Sequence, residues 1–157
     1  MRTVIVDVLG KVTPACSKSH ISYRFFLTST GGRLGIQFSY GPKQLEDLEK
    51  AKALIERSIY LYFEDEAIGQ AKAHWKSYLP LNNLITVSVD GPDGHRGAAH
   101  RHDPEQFLYL SQNEASPGLV CGDIVEGVWE VTLSLHAVVT DSCEYSLQIW
   151  QEEEAAK

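Results

Sequence analysis

The sequence is poor in the features that mark exported, membrane-bound and nucleic-acid-binding proteins. Three of its 157 residues are cysteine and no two form a Cys-x-x-Cys pair, which argues against a disulfide framework or a zinc site of that type. No apolar run reaches the roughly 18 residues that cross a bilayer, and the first ten residues lack a signal-peptide pattern. With 14 basic and 21 acidic residues the net charge is −7, which argues against binding to a phosphate backbone. We therefore expect a cytoplasmic protein with no membrane or nucleic-acid partner.

Familiar catalytic and nucleotide-binding motifs are also missing. The chain has no Gly-x-Ser-x-Gly nucleophile elbow, no Gly-x-x-x-x-Gly-Lys phosphate loop and no Gly-x-Gly-x-x-Gly loop after a strand. Serine-hydrolase chemistry and nucleotide binding through such loops are therefore not predicted.

The chain does contain a series of short runs in which apolar and polar residues alternate. Such alternation is typical of strands with one buried face. The clearest run extends from Trp129 to Val139, with Leu133 and Leu135 on the same face as Trp129 and with Glu130 and Thr132 on the other. Five further runs have the same pattern, at residues 3–8, 22–27, 34–40, 85–90 and 145–149.

The fold predicted from these runs is mainly β: a jelly-roll-like β-sandwich, in which two sheets each bury one side. We expect a single domain over residues 1–150, with a helical insertion at about 43–78. Apolar residues at three- and four-residue spacing predict an amphipathic helix over 43–63, and a second helical segment follows near 67–75. The polar residues 151–157 are expected to form a frayed tail.

Histidines are concentrated in the second half of the chain. His95, His100 and His102 fall within eight positions, Glu105 follows, and His136 lies on the polar face of its predicted strand. Imidazole and carboxylate groups bind divalent Zn, Fe, Mn or Ni, and the spacing partly matches the first motif of cupins, a metal-binding β-barrel family. The alternative, which the sequence favours, is a polar loop whose side chains bond to backbone carbonyls, with no cofactor.

Two arginines flank these histidines and suggest another kind of site. The guanidinium groups of Arg96 and Arg101 have the geometry to bind a carboxylate or phosphate. Trp150 falls on the polar face of its strand by parity and is a candidate ligand contact, together with Trp75. A carbohydrate- or anion-binding module is therefore an alternative function.

Five stretches carry a resemblance to a known family, at residues 83–89, 96–102, 115–124, 127–131 and 143–147. Together they resemble the β-sandwich region that precedes the catalytic domain in PHP-type metallohydrolases of the CehA/McbA kind. The closing pattern, Gly-x-Trp-x-Val through Tyr-x-Leu-x-Ile, is also similar to bacterial pre-peptidase C-terminal domains, which are small jelly-roll accessory modules.

The resemblance implies an accessory role rather than catalysis. The Asp-x-His-x-His metal motif with which a PHP domain opens does not occur in this sequence. We therefore expect a non-catalytic module that binds a partner or a small ligand, and that works beside a separately encoded hydrolase. Open sheet edges make a homodimer a further expectation.

Overall fold

The computed structural model describes residues 1–153, in which eight strands form two four-stranded sheets. One sheet has the order β1-β8-β3-β6 and the other β2-β7-β4-β5, with antiparallel neighbours throughout. This is the strand order of a jelly roll, so the predicted fold class is confirmed. The strands are β1 (Arg2–Val12), β2 (Ser19–Leu27), β3 (Arg33–Gly41), β4 (Leu84–Gly91), β5 (Gly94–Ala99), β6 (Glu105–Ser111), β7 (Gly127–Ala137) and β8 (Cys143–Glu152).

Alternation along the strands decides which side chains form the core between the sheets. In β7 the exposed fractions of Trp129, Leu133 and Leu135 are 0%, 1% and 1%, whereas Glu130 and Thr132 remain partly exposed. The predicted register of this strand is therefore confirmed. Every second residue points to the outer face of its sheet, which is mainly polar in β7 apart from the exposed Val128.

The helical insertion lies between β3 and β4, as predicted, and contains α1 (Leu48–Tyr62) and α2 (Asp65–Ala73). A short 3-10 turn, Trp75–Tyr78, follows α2. Ile55 and Ile59 of α1 form a small cluster with α2 that is separate from the core of the sandwich. Within residues 1–153, neither helix has the length and apolar character needed to span a membrane.

The first helix begins five residues later than the sequence pattern indicates. The carboxylate of Asp47 accepts hydrogen bonds from the backbone N–H groups of Glu49 and Lys50, both at 3.1 Å. This is an N-cap, which satisfies donors that have no partner inside the helix. The prediction of a helix from residue 43 is therefore wrong at its start.

The last strand extends beyond the predicted end of the domain. Gln151 belongs to β8 and is buried, and its amide group donates to the carbonyls of Ser29 and Gly31, both at 3.1 Å. The expectation of a frayed tail from residue 151 is therefore corrected for Gln151 and Glu152. The same expectation for residues 154–157 lies outside the described residues.

Candidate functional site

An apolar groove of about 640 Å³ lies between α1 and one end of the sandwich. We call it the α1 groove. Its lining comes from the helical insertion, the turn after β1, the segment before β4 and the loop between β7 and β8. Its apolar lining includes Leu54, Tyr62, Phe63, Tyr78, Leu81 and Val139.

The groove exists because only part of the apolar surface of α1 is covered. Ile55 and Ile59 are buried, at 5% and 2% exposed. Tyr62, seven residues after Ile55, lies on the same face but is 71% exposed, and Leu54 lies beside that face and is 36% exposed. Burial of these side chains by a ligand would be favourable, since apolar surface contributes about 25 cal/mol per Å² removed from water.

One buried amide fixes the sandwich side of the groove. Asn83 is fully buried, and its Nδ2 donates to the carbonyl of Pro42 and to Oγ1 of Thr140, both at 2.8 Å. Its Oδ1 accepts from the backbone N–H of Val139 at 2.6 Å. A single side chain thus ties the start of the helical insertion to the β7–β8 loop that lines the groove.

An ion pair stands at the end of the groove near the start of α1. Nζ of Lys50 lies 2.8 Å from Oδ2 of Asp141, and both residues line the groove. The hydrogen bond to Asp141 and the attraction of its carboxylate raise the pKa of Lys50 above its ordinary value. The lysine therefore stays protonated and its charge is balanced by Asp141.

A second lysine stands at the other end, near the end of α1. Nζ of Lys18 donates to the hydroxyl of Tyr62 at 3.4 Å, and Lys18 is exposed. None of the three ion pairs between residues 1–153 involves Lys18. Its backbone has a φ of 63°, and its N–H donates to the carbonyl of Leu135 at 2.7 Å. The ammonium group therefore lies beside the groove and has no ion-pair partner among residues 1–153.

Two of the predicted metal ligands have other hydrogen-bond partners. Nδ1 of His95 lies 2.8 Å from Oδ1 of Asp90, which is in the neighbouring strand of the same hairpin. Nε2 of His136 lies 2.8 Å from Oγ1 of Thr86. Both contacts are exposed, on the outer face of the sheet that contains β7.

The remaining predicted ligands are exposed and lie elsewhere. β5 ends at Ala99, so His100 and His102 fall in the connection to β6 rather than in an extended strand, and Glu105 begins β6 in the other sheet. Among residues 1–153, no group of three or more histidine, cysteine or acidic side chains is placed to hold a metal ion. The structure therefore does not bring the five predicted ligands together.

Arg96 has a structural role instead of the predicted anion-binding one. The residue is 7% exposed, and Nε, Nη1 and Nη2 donate to the carbonyls of Val120, Asp123 and Gly122 at 3.1, 3.0 and 2.9 Å. An anion would have to replace these bonds in a buried place. Arg101, the other predicted anion contact, is half-buried in the loop after β5.

Trp150 points to the outer face of its sheet, as parity indicates, but it is 2% exposed. Its ring lies over Gly35 of β3, where a side chain would collide with it. The guanidinium of Arg2 covers it at 3.7 Å from the ring centroid, and Nε1 donates to Glu152 at 3.0 Å. The prediction that Trp150 is an accessible ligand contact is therefore wrong. Trp75, the other tryptophan considered, is half-buried in the cluster of the insertion.

The groove was not predicted from the sequence. Val139 was expected to continue the inward face of Trp129, but β7 ends at Ala137, and Val138 takes the buried place. Leu54 falls outside the apolar stripe that indicated the helix. The available signal is Leu54, an apolar residue beside the stripe that the cluster of the insertion covers.

Comparison with known proteins gives no family. No protein-family model matches the chain, and no curated protein matches it. A crystal structure of the protein GEBA250068378 from Sulfurospirillum deleyianum is similar over 95% of this chain and 99% of that chain, with 6% identity and a TM-score of 0.33. At these values neither fold nor function is inferred from the likeness.

Proposed function

We propose that this chain is a non-catalytic binding module that holds a small apolar molecule in the α1 groove. The observation that carries the proposal is an apolar groove of about 640 Å³ in which Leu54 and Tyr62 remain exposed. Ligand pockets are typically about 300–1,000 Å³ and mostly apolar, with a few polar groups. The α1 groove has this size and this lining.

An accessory role agrees with the distribution of chemistry around the groove. Among residues 1–153, the polar side chains that line the groove are the Lys50–Asp141 ion pair and hydroxyl groups. The predicted metal ligands do not converge on one point. The resemblance to the β-sandwich of PHP-type metallohydrolases favours the same interpretation. On this proposal the module works in the cytoplasm beside a separately encoded hydrolase and supplies binding rather than catalysis.

The proposal is tested with N-phenyl-1-naphthylamine, a neutral apolar dye that fluoresces when it leaves water. We expect saturable binding with one dye per chain. Leu54→Asp places a carboxylate in the apolar lining and should weaken the affinity by about tenfold or more, because a charge buried with an apolar ligand loses hydration.

The matched control is Leu61→Asp, on the same helix. Leu61 is 67% exposed and does not line the groove. This variant should bind the dye as the unaltered protein does, and circular dichroism should show both variants folded. Dye binding that is non-saturable, or that responds equally to the two substitutions, would contradict the proposal.

A further inference from the structure

The dimensions of the α1 groove favour an extended ligand. Its helical wall runs from Lys50 to Tyr62, and 12 residues at 1.5 Å each give a length of about 18 Å. An extended chain can lie along this length, in contact with α1 on one side and with the sandwich on the other.

The lining favours a hydrocarbon chain over an extended peptide. A peptide carries an N–H and a carbonyl at nearly every residue, and each loses free energy if it is buried without a partner. Between its two ends the groove presents mainly aliphatic and aromatic side chains, such as Leu54, Ile59 and Val139. A chain of methylene groups needs no partners there.

The two ends of the groove differ in charge. At the Lys50 end the carboxylate of Asp141 already balances the ammonium group. At the Tyr62 end the ammonium of Lys18 has no ion-pair partner among residues 1–153. The Tyr62 hydroxyl accepts from Lys18, so its own O–H is free to donate. An anion placed there would receive two hydrogen bonds, at least one of them charge-assisted.

The geometry therefore points to a monomeric single-chain amphiphile with an anionic end as the ligand. Its hydrocarbon chain lies along α1, and its anionic group binds Lys18 and the hydroxyl of Tyr62. This inference rests on the proposed function of the α1 groove and adds the chemical class and the orientation of the ligand.

The test uses isothermal titration calorimetry with dodecanoate and dodecan-1-ol, both below the concentration at which they aggregate. Dodecanoate should bind about fivefold more tightly than dodecan-1-ol, because an exposed ion pair contributes at most about 1 kcal/mol to the binding free energy. Lys18→Met keeps the length of the side chain and removes its charge. This variant should lose the preference, because its affinity for dodecanoate falls while its affinity for dodecan-1-ol stays unchanged.

Lys11→Met is the matched control, because Lys11 is an exposed lysine of β1 that does not line the groove. It should leave both affinities unchanged. A series of shorter carboxylates should gain up to about fourfold in affinity per methylene, which is the 0.8 kcal/mol of each buried CH₂. The gain should stop when the chain exceeds the groove.

The outcomes separate this inference from the function on which it rests. The protein could bind dodecanoate and dodecan-1-ol equally well, with affinities that Lys18→Met leaves unchanged and Leu54→Asp abolishes. That result would overturn the inference that the ligand has an anionic end, but the groove would remain a binding site. Absence of binding of either compound, with the neutral dye also unbound, would overturn both. If the protein sediments with phosphatidylglycerol vesicles but does not bind monomeric dodecanoate, the inference is overturned and a membrane surface is the ligand instead.

Discussion

Replacement of Arg96 by methionine should lower the free energy of unfolding by about 3–4 kcal/mol. Methionine keeps much of the apolar stem but donates no hydrogen bond, so the carbonyls of Val120, Gly122 and Asp123 lose their partners. Each buried acceptor left without a partner costs about 1–3 kcal/mol, reduced where water enters. The guanidinium also lies 5.3 Å from the centroid of the Trp129 ring, and this contact is lost as well.

Urea unfolding followed by tryptophan fluorescence measures this loss, and the melting temperature should fall by roughly 10 °C. Arg101→Met is the matched control, since Arg101 is half-buried in the loop that follows β5. We expect a change of about 0.5 kcal/mol or less for that variant. A loss below about 1 kcal/mol in Arg96→Met would contradict the structural role assigned to this arginine.

Replacement of Asn83 by alanine should lower the free energy of unfolding by about 3 kcal/mol and should also weaken binding in the α1 groove. Asn83 is fully buried, and alanine leaves the carbonyl of Pro42 and the N–H of Val139 without their partner, together with a small cavity. Because Val139 lines the groove, loss of its bond to Asn83 should also disturb the sandwich side of the groove.

Thermal unfolding and the affinity for N-phenyl-1-naphthylamine are measured together on this variant. Asn82→Ala is the control, because Asn82 is exposed and adjacent in the chain. It should leave both quantities nearly unchanged. A variant Asn83→Ala that is destabilised but binds the dye with unaltered affinity would show that the amide stabilises the fold without shaping the groove.

The sequence was sufficient for the sheets because a strand buries every second residue. Trp129, Leu133 and Leu135 are inward by that rule alone, and their burial follows whatever the partner strand is. The start of α1 was harder, since the apolar spacing extends to residue 43 and the cap at Asp47 competes with it. Local patterns thus predict faces well and ends less well.

Exposure on an outer face depends on neighbouring strands, which a single-strand pattern does not contain. Parity correctly places Trp150 outside, but Gly35 leaves room for the ring and Arg2 covers it. Neither residue is near Trp150 in the sequence. The role of Arg96 could not be predicted for the same reason, because its three hydrogen-bond partners lie in the loop before β7, more than 20 residues away in the sequence.

The candidate site was beyond sequence reasoning because it is made between distant segments. Leu54 and Tyr62 are unremarkable as single helix residues, and Val139 is unremarkable as the continuation of a strand. They form a groove only when the insertion lies beside the β7–β8 loop. The histidines, by contrast, are close together in the sequence, but the fold places His95 and His136 on the outer face of one sheet and His100 and His102 in the loop after β5.

The most direct test of the account is a methyl NMR titration of the protein with dodecanoate. If dodecanoate binds in the α1 groove, the chemical-shift changes should be concentrated on the methyl groups of Leu54, Leu81 and Val139, which line it. Methyl groups of Val4 and Leu9, which are 47% and 87% exposed on β1, should not respond. Shifts confined to β1, with the groove methyl groups unchanged, would show that dodecanoate does not bind in the α1 groove.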